Sequence, residues 1–123
     1  AACGHAGGLA RAGPGRIWVA DTGALFEIEV AVPSAPGIGR VMRTIPLGGL
    51  VRGSFAAGGT GSILLGRYDK QPGARLWRFD IAGLPATLDE RVALGSIPLP
   101  IEAQGAAVDA AGRLWITRSG SLY

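Results

Sequence analysis

An internal repeat constrains this chain of 123 residues more than any other feature of its sequence. Residues 8–26 read GLARAGPGRIWVADTGALF, and residues 105–123 read GAAVDAAGRLWITRSGSLY. At a constant offset of 97 and without a gap, seven of the nineteen aligned positions are identical, including Trp18 with Trp115. Self-similarity at a fixed spacing is typical of folds built from repeated supersecondary units. We therefore expect an architecture that stacks equivalent units.

A further copy of the unit lies between these two. Residues 61–65 match residues 15–19 at an offset of 46. After a longer loop, residues 76–80 match residues 25–29 at an offset of 51. The unit therefore spans about 46 to 51 residues, close to the roughly 40 to 50 residues of a β-propeller blade.

Each unit reads as four short strands separated by turns. Three runs are apolar on both faces, as expected for a strand covered on both sides: RIWVAD, SILLGR and RLWITR. Two runs alternate apolar and charged residues, which is typical of a half-buried strand: LFEIEV and LWRFDI. The segments GLAR, SFAA and GAAV, which precede the runs that are apolar on both faces, consist almost entirely of small residues. Pro46 and Pro98 indicate outer edge strands at about 40–47 and 91–99. Because no ten-residue window keeps an apolar helical stripe, we expect little helix.

This organisation predicts an all-β fold, a partial β-propeller made of four-stranded antiparallel blades. The first strand of each unit consists of small residues, which suits the crowded region near the axis where blades converge. The second strand is apolar on both faces, which suits a strand that is covered by a neighbouring blade on each side. Trp18 and Trp115 are expected to fill the widening gap between blades as core residues. The blades fall at about 5–47, 51–99 and 102–123, the last one incomplete, whereas propellers have about four to eight. We therefore expect a fragment of a longer propeller, or a chain that needs other blades or chains for closure.

The stretches GLARAGPGRIWVADTGALF and GAAVDAAGRLWIT resemble the blade repeats of the NHL, streptogramin-lyase and gluconolactonase group of propellers. Units of that group run roughly as Gly-x-Ala-x-Asp-x-x-Gly-x-Leu-Trp-Val followed by Gly-x-Leu-x-Arg. The resemblance covers nearly the whole chain, but it reflects blade geometry and supplies no chemistry. Asp109 matches the turn aspartate of the group, for which the resemblance implies a structural role. Ala12 and Gly58 stand at the equivalent positions of the other two units.

Charge and cysteine content argue against several kinds of function. The net charge is +3, and nowhere do three basic residues stand together, so we predict no nucleic-acid partner. No run has the length and apolar character of a membrane span. A single cysteine, Cys3, excludes an internal disulfide and a cysteine-based metal site. The glycine-rich stretches lack the Gly-Lys-Ser/Thr of a phosphate loop, and we predict neither a cofactor nor a bound metal.

Charged and polar residues recur at two positions that share one face of the predicted propeller, around the mouth of its channel. Because chain direction alternates along a blade, the loop after the second strand and the link before the first strand lie at the same end. The candidates are Asp21, Arg67 and Arg118 after second strands, and His5, Arg52, Glu102 and Gln104 before first strands. We predict that these seven residues converge on one ligand-binding face.

Two functions compete for this face. A non-catalytic scaffold would bind a small molecule, a peptide or a glycan, with Arg52, Arg67 and Arg118 gripping carboxylates through their planar forks. In a propeller hydrolase or lyase, His5 or Glu102 would act as general base and the arginines would stabilise an oxyanion. Gluconolactonase-type sites use Asn among their metal ligands, and this chain contains no Asn. The scaffold is therefore the favoured prediction, and the enzyme is its alternative.

Overall fold

The computed structural model describes residues 6–30, 39–59 and 61–119, together with the backbone of residues 121–122. All regular structure within these residues is β-strand, and they include no helix that could cross a membrane. The prediction of an all-β fold is confirmed. Cys3 and His5 lie outside the described residues.

The strands of the described residues form three antiparallel sheets, in which each strand pairs with the next along the chain. The first sheet contains β1 (Gly8–Gly13), β2 (Arg16–Asp21), β3 (Ala24–Glu29) and β4 (Arg40–Pro46). The second contains β5 (Phe55–Gly59), β6 (Ser62–Gly66), β7 (Arg75–Asp80) and β8 (Gly95–Pro98). The third contains β9 (Ala103–Val108), β10 (Leu114–Arg118) and β11 (Ser121–Leu122).

The outer strand of the second sheet is shorter than the sequence predicts, since β8 begins at Gly95 and not near residue 91. Asp89 explains the difference. Its Oδ1 accepts the N–H of Arg91 at 2.9 Å, and its carbonyl accepts the N–H of Val92 at 3.2 Å, which forms a turn. The Arg91 guanidinium donates to the Asp89 carboxylate, and this hydrogen bond lowers the pKa of Asp89 and raises that of Arg91.

The first strands of the three sheets are neighbours, with β5 lying between β1 and β9. Glycine allows the closest of these approaches. A Cβ atom on Gly7 would overlap the carbonyl oxygen of Ser54, and one on Gly8 would overlap the backbone nitrogen of Ala56. The second strands β2 and β6 also contact the first strand of the following sheet. The sheets therefore stack face to face with their first strands together.

Two apolar cores lie between the sheets. The core between the first and second sheets is formed mainly by Trp18, Leu25, Ile45, Ile63, Leu65 and Phe79. The core between the second and third sheets is formed by Phe55, Leu64, Leu76, Leu99, Ala103, Leu114 and Ile116. Because successive side chains of a strand point to opposite faces, the second sheet contributes alternate residues to each core.

The two repeated tryptophans differ in their surroundings. Trp18 is 1% exposed in the first core, as the sequence predicts. Trp115 is 42% exposed, so the prediction that it is a core residue is wrong. Its neighbours Leu114 and Ile116 face the second sheet, which leaves Trp115 on the opposite face of the third sheet. Within the described part of the chain, no fourth sheet covers that face.

Candidate functional site

The link that enters each new sheet is tied to the preceding sheet through backbone atoms. The N–H of Gly53, ahead of β5, donates to the carbonyl of Thr22 at 3.3 Å, in the turn after β2. The N–H of Glu102, ahead of β9, donates to the carbonyl of Asp69 at 2.7 Å, in the loop after β6. This recurring contact joins the two kinds of segment that contain the predicted site residues, the loops after second strands and the links before first strands.

A cleft of about 470 Å³ opens at this end of the sheets. It is lined by Gly7 and Ser54 ahead of first strands, Thr22 and Tyr68 after second strands, and Gln104 in β9. All three sheets therefore border it. These residues present hydroxyl groups, an amide and an aromatic ring, and no charged side chain is found among the described residues that line the cleft. Such groups both donate and accept hydrogen bonds without selecting a charged ligand.

Two of the predicted arginines are engaged within the chain and do not line the cleft. Nη1 of Arg52 donates to the carbonyls of Gly49 and Val51, at 3.0 and 2.7 Å. Arg67 pairs with Asp69, with 3.4 Å between Nη2 and Oδ2. Arg67 also borders a separate cavity of about 210 Å³. Neither guanidinium is thus positioned in the cleft to grip a carboxylate.

Of the predicted residues that the structure describes, Gln104 lines the cleft. Its Nε2 donates to the hydroxyl of Ser119 at 3.0 Å, an arrangement that fixes the amide. Asp21 ends β2, and its Oδ1 accepts the N–H of Thr22 at 2.7 Å. Arg118 ends β10 and is partly buried. The structure thus brings Gln104 to the cleft, and it places Asp21 and Arg118 at the ends of their strands.

Glu102 combines a left-handed backbone with a position between two sheets. Its φ is 59°, a conformation that residues other than glycine rarely adopt. Its N–H bonds to Asp69 as described, and its carbonyl accepts the N–H of Ser119 at 3.2 Å. The conformation is therefore held by hydrogen bonds to both the second and the third sheet. Non-glycine residues in such regions are found preferentially at functional sites.

Asp109 organises the turn between β9 and β10, at the other end of the third sheet. Its carboxylate accepts the backbone N–H groups of Ala111 and Arg113, the Arg113 Nε at 2.8 Å and the indole Nε1 of Trp115 at 3.0 Å. The indole N–H, followed by the backbone N–H of Arg113, lowers the pKa of this carboxyl. These contacts hold the turn together, and Asp109 does not line the cleft.

Thr22, Ser54 and Tyr68 line the cleft but are neutral, so the pattern of charged residues in the sequence does not indicate them. Thr22 and Tyr68 directly follow second-strand ends that the repeat had located. A usable signal was present, since Thr22 and Ser119 are equivalent hydroxyl residues at the offset of 97. The repeat therefore indicated the right loops but not the chemistry of their side chains.

Within the described ranges, no group of three His, Cys, Asp or Glu side chains is arranged to hold a metal ion. Comparison of the chain with protein-family models, curated proteins and solved structures gives no match. The described residues that bear on function are therefore those that line the cleft, together with Glu102, whose φ is positive.

Proposed function

We propose that this chain is a non-catalytic segment of a β-propeller that binds a small polar ligand, a glycan or a peptide at the mouth of its channel. The packing of the sheets supports the propeller, since successive antiparallel meanders lie side by side with their first strands together, as blades do around an axis. The observation that carries the binding role is the cleft, to which all three sheets contribute residues from the predicted loops and links.

The lining favours a neutral ligand over a carboxylate. Hydroxyl and amide groups in a concave site fix the orientation of a ligand through directional hydrogen bonds. Tyr68 adds an aromatic surface on which an apolar ligand face can rest. Arg52 and Arg67 donate to groups of the chain itself, and releasing either one would cost those contacts. This preference revises the anion-binding version of the scaffold hypothesis.

A titration with three probes tests the proposal. Backbone amide NMR spectra would be followed during addition of a neutral disaccharide, an N-acetylated dipeptide amide and acetate. We expect one of the two neutral probes to shift the signals of Thr22, Ser54, Tyr68 and Gln104. Shifts caused by acetate alone, or by none of the probes, would contradict the proposal.

A matched pair of variants sharpens this test. Gln104→Ala removes an amide from the cleft, whereas Gln71→Ala removes an exposed amide from the loop after β6. We expect Gln104→Ala to weaken the binding of the responding probe about tenfold, because a site hydrogen bond is lost. Gln71→Ala should leave the affinity unchanged, and equal effects of the two variants would argue against the cleft as the binding site.

The conformation of Glu102 is the observation that favours the second candidate, a hydrolase or lyase. In that case Glu102 would act as general base towards a lactone or an ester. The test is an assay of lactone and ester hydrolysis with Glu102→Gln, using Glu29→Gln on β3 as the matched control. Turnover that only Glu102→Gln abolishes would favour the enzyme, and no turnover by the unaltered chain would favour the scaffold.

A further inference from the structure

We propose that a second cavity of the chain binds a small aryl carboxylate, a singly charged anion that carries an aromatic ring. The cavity has a volume of about 210 Å³ and lies beside the loop that joins β6 to β7. We refer to it as the loop cavity. Its lining differs from that of the cleft, and the proposal is independent of what the cleft binds. The residues that matter for binding are Leu50, Arg67, Asp69, Pro72, Arg75 and Trp77.

The loop cavity lies where the second unit departs from the repeat. Eight residues, 67–74, join β6 to β7, whereas two residues join the second and third strands of each of the other sheets. Arg67, Asp69 and Pro72 of this loop line the cavity. Insertions into single repeats of a repetitive fold lie in loops and are often found on the binding face. The extra residues therefore give the second sheet a concave surface of its own.

Hydrogen bonds hold this loop in place. The carbonyl of Asp69 accepts the N–H of Glu102 at 2.7 Å, and the carbonyl of Ala74 accepts the N–H of Leu99 at 2.9 Å. Within the loop, Oδ1 of Asp69 accepts the N–H of Gln71 at 2.9 Å. Because the loop is fixed in this way, the cavity is formed before a ligand arrives, and less conformational entropy is lost on binding.

The charged groups of the loop cavity favour a singly charged anion. Arg67 and Arg75 together carry two positive charges against the one negative charge of Asp69. The carboxylate of Asp69 is already paired, since its Oδ2 lies 3.4 Å from Nη2 of Arg67. Arg75 donates to the hydroxyl of Ser96 from Nε and to its carbonyl from Nη2, and these contacts do not use Nη1. Because a guanidinium has five N–H donors, both arginines can bind a carboxylate while they keep these contacts.

The apolar part of the lining accounts for the aromatic ring. Trp77 lies on the same face of β7 as Arg75, borders the cavity and packs against the first core. Leu50 is 57% exposed at the cavity, so a bound ring would remove apolar surface from water. A cavity of about 150 Å³ is enough for benzene. The loop cavity, at about 210 Å³, therefore has room for a ring that carries a short carboxylate chain.

An NMR titration with four probes tests the proposal. Phenylacetate carries the ring and the charge, phenylacetamide keeps the ring without the charge, acetate keeps the charge without the ring, and phenethylamine reverses the charge. We expect phenylacetate to shift the backbone amide signals of Leu50, Gly73 and Trp77 until they saturate. The other three probes should bind at least about tenfold more weakly, because each lacks one of the two features. Equally tight binding of any of them, or no saturable shift with phenylacetate, would overturn the proposal.

Matched variants assign the binding to the loop cavity. Arg75→Gln removes a guanidinium from the cavity, and Arg78→Gln removes one from the opposite face of the same strand. Both variants change the net charge equally, and we expect only Arg75→Gln to raise the dissociation constant of phenylacetate, by about tenfold. Equal weakening by the two would indicate general attraction between opposite charges and would overturn the proposal. Arg67→Gln repeats the comparison at a position in the loop, outside the strands, and far-UV circular dichroism verifies that each variant is folded. The signals of Thr22 and Ser54 report separately on the cleft, so either proposal can fail without the other.

Discussion

Trp18 and Trp115 occupy the same position of two matching strands, yet one is enclosed and the other half open to solvent. The segments around them share sequence, strand pairing and the small residues on the adjacent first strand. What differs is the next sheet, which packs over Trp18 and has no counterpart over Trp115 in the described residues. The burial of a residue in this architecture is therefore decided by the neighbouring unit and not by the strand that carries it.

A second pair of equivalent residues shows the same contrast. Ile45 on β4 is 1% exposed, whereas Ile97 at the matching position of β8 is 42% exposed. Ile97 borders an open groove of about 240 Å³ with Leu64 and Leu76. The contact between the second and third sheets is thus closed near the first strands and open towards the outer ones.

The largest expected effect comes from truncating the tryptophans. Trp18→Ala should lower the free energy of unfolding by about 3 to 5 kcal/mol, because it removes a buried aromatic side chain and leaves a cavity. Trp115→Ala should cost about 1 kcal/mol, since much of its ring is already in contact with water. Urea denaturation at one protein concentration measures both. Equal costs would mean that Trp115 is covered in solution.

Ile45 and Ile97 allow the same comparison, with a smaller expected difference in the free energy of unfolding. Ile45→Ala should lower the free energy of unfolding by about 2 to 4 kcal/mol, through lost burial and a cavity in the first core. Ile97→Ala should cost less than about 1 kcal/mol, as for an exposed strand position. Thermal unfolding of both variants under identical conditions provides the measurement, and a reversed order would contradict the assignment of closed and open contacts.

Substitution of Ala12 tests why the buried indole of Trp18 lacks the hydrogen bond that the exposed indole of Trp115 forms. The Nε1 of Trp18 is buried and has no hydrogen-bond partner among the residues that the structure describes. Ala12 stands where Asp109 binds the indole of Trp115. Ala12→Asp should add about 1 kcal/mol of stability by supplying the acceptor. In a Trp18→Phe background the gain should vanish, because phenylalanine has no donor. A gain that persists there would show that the aspartate acts through the turn alone.

The smallest effect concerns pH. The pKa of Asp109 is lowered in the folded chain, chiefly by the indole N–H of Trp115, so its ionised form stabilises the fold. That contribution is complete above the ordinary carboxyl pKa of 3.8 and is lost as the pH falls through the lower folded value. Asp109→Asn should therefore melt at a lower temperature than the unaltered chain at neutral pH. The gap should narrow below about pH 3.8, and a gap that stays constant down to pH 2 would contradict the role of the charge.

The repeat made much of the fold predictable, because every strand of the first two units follows from the positions of turns and small residues. β2 begins and ends at the predicted residues, and the small segments became β1, β5 and β9. The start of β8 was missed because the side chain of Asp89 forms its own turn, a local preference that repeat matching does not register. The exposure of Trp115 was missed because the burial of this residue depends on a separate sheet.

The candidate site was predictable in location but less so in composition. Alternating strand direction placed the relevant loops and links at one end, and the cleft lies among them. The ligand preference of the site could not be predicted in the same way. It depends on whether each guanidinium is free to bind a ligand, and a guanidinium that lies close to a carbonyl or a carboxylate of the chain forms a hydrogen bond or an ion pair there. Arg52 and Arg67 found such partners within three residues of the chain, which spacing alone did not reveal.

The hydrogen bonds between Gly53 and Thr22 and between Glu102 and Asp69 join only main-chain atoms. The side chains of Thr22 and Asp69 take no part in these hydrogen bonds and can be exchanged without breaking them. Gly53 cannot be exchanged, because a Cβ atom there would overlap the carbonyl oxygen of Asp21. A family of such chains could diversify its recognition surface by point substitution while the framework stays constant. For protein engineering, the same property makes Thr22 and Asp69 suitable positions for a randomised library on a fixed scaffold.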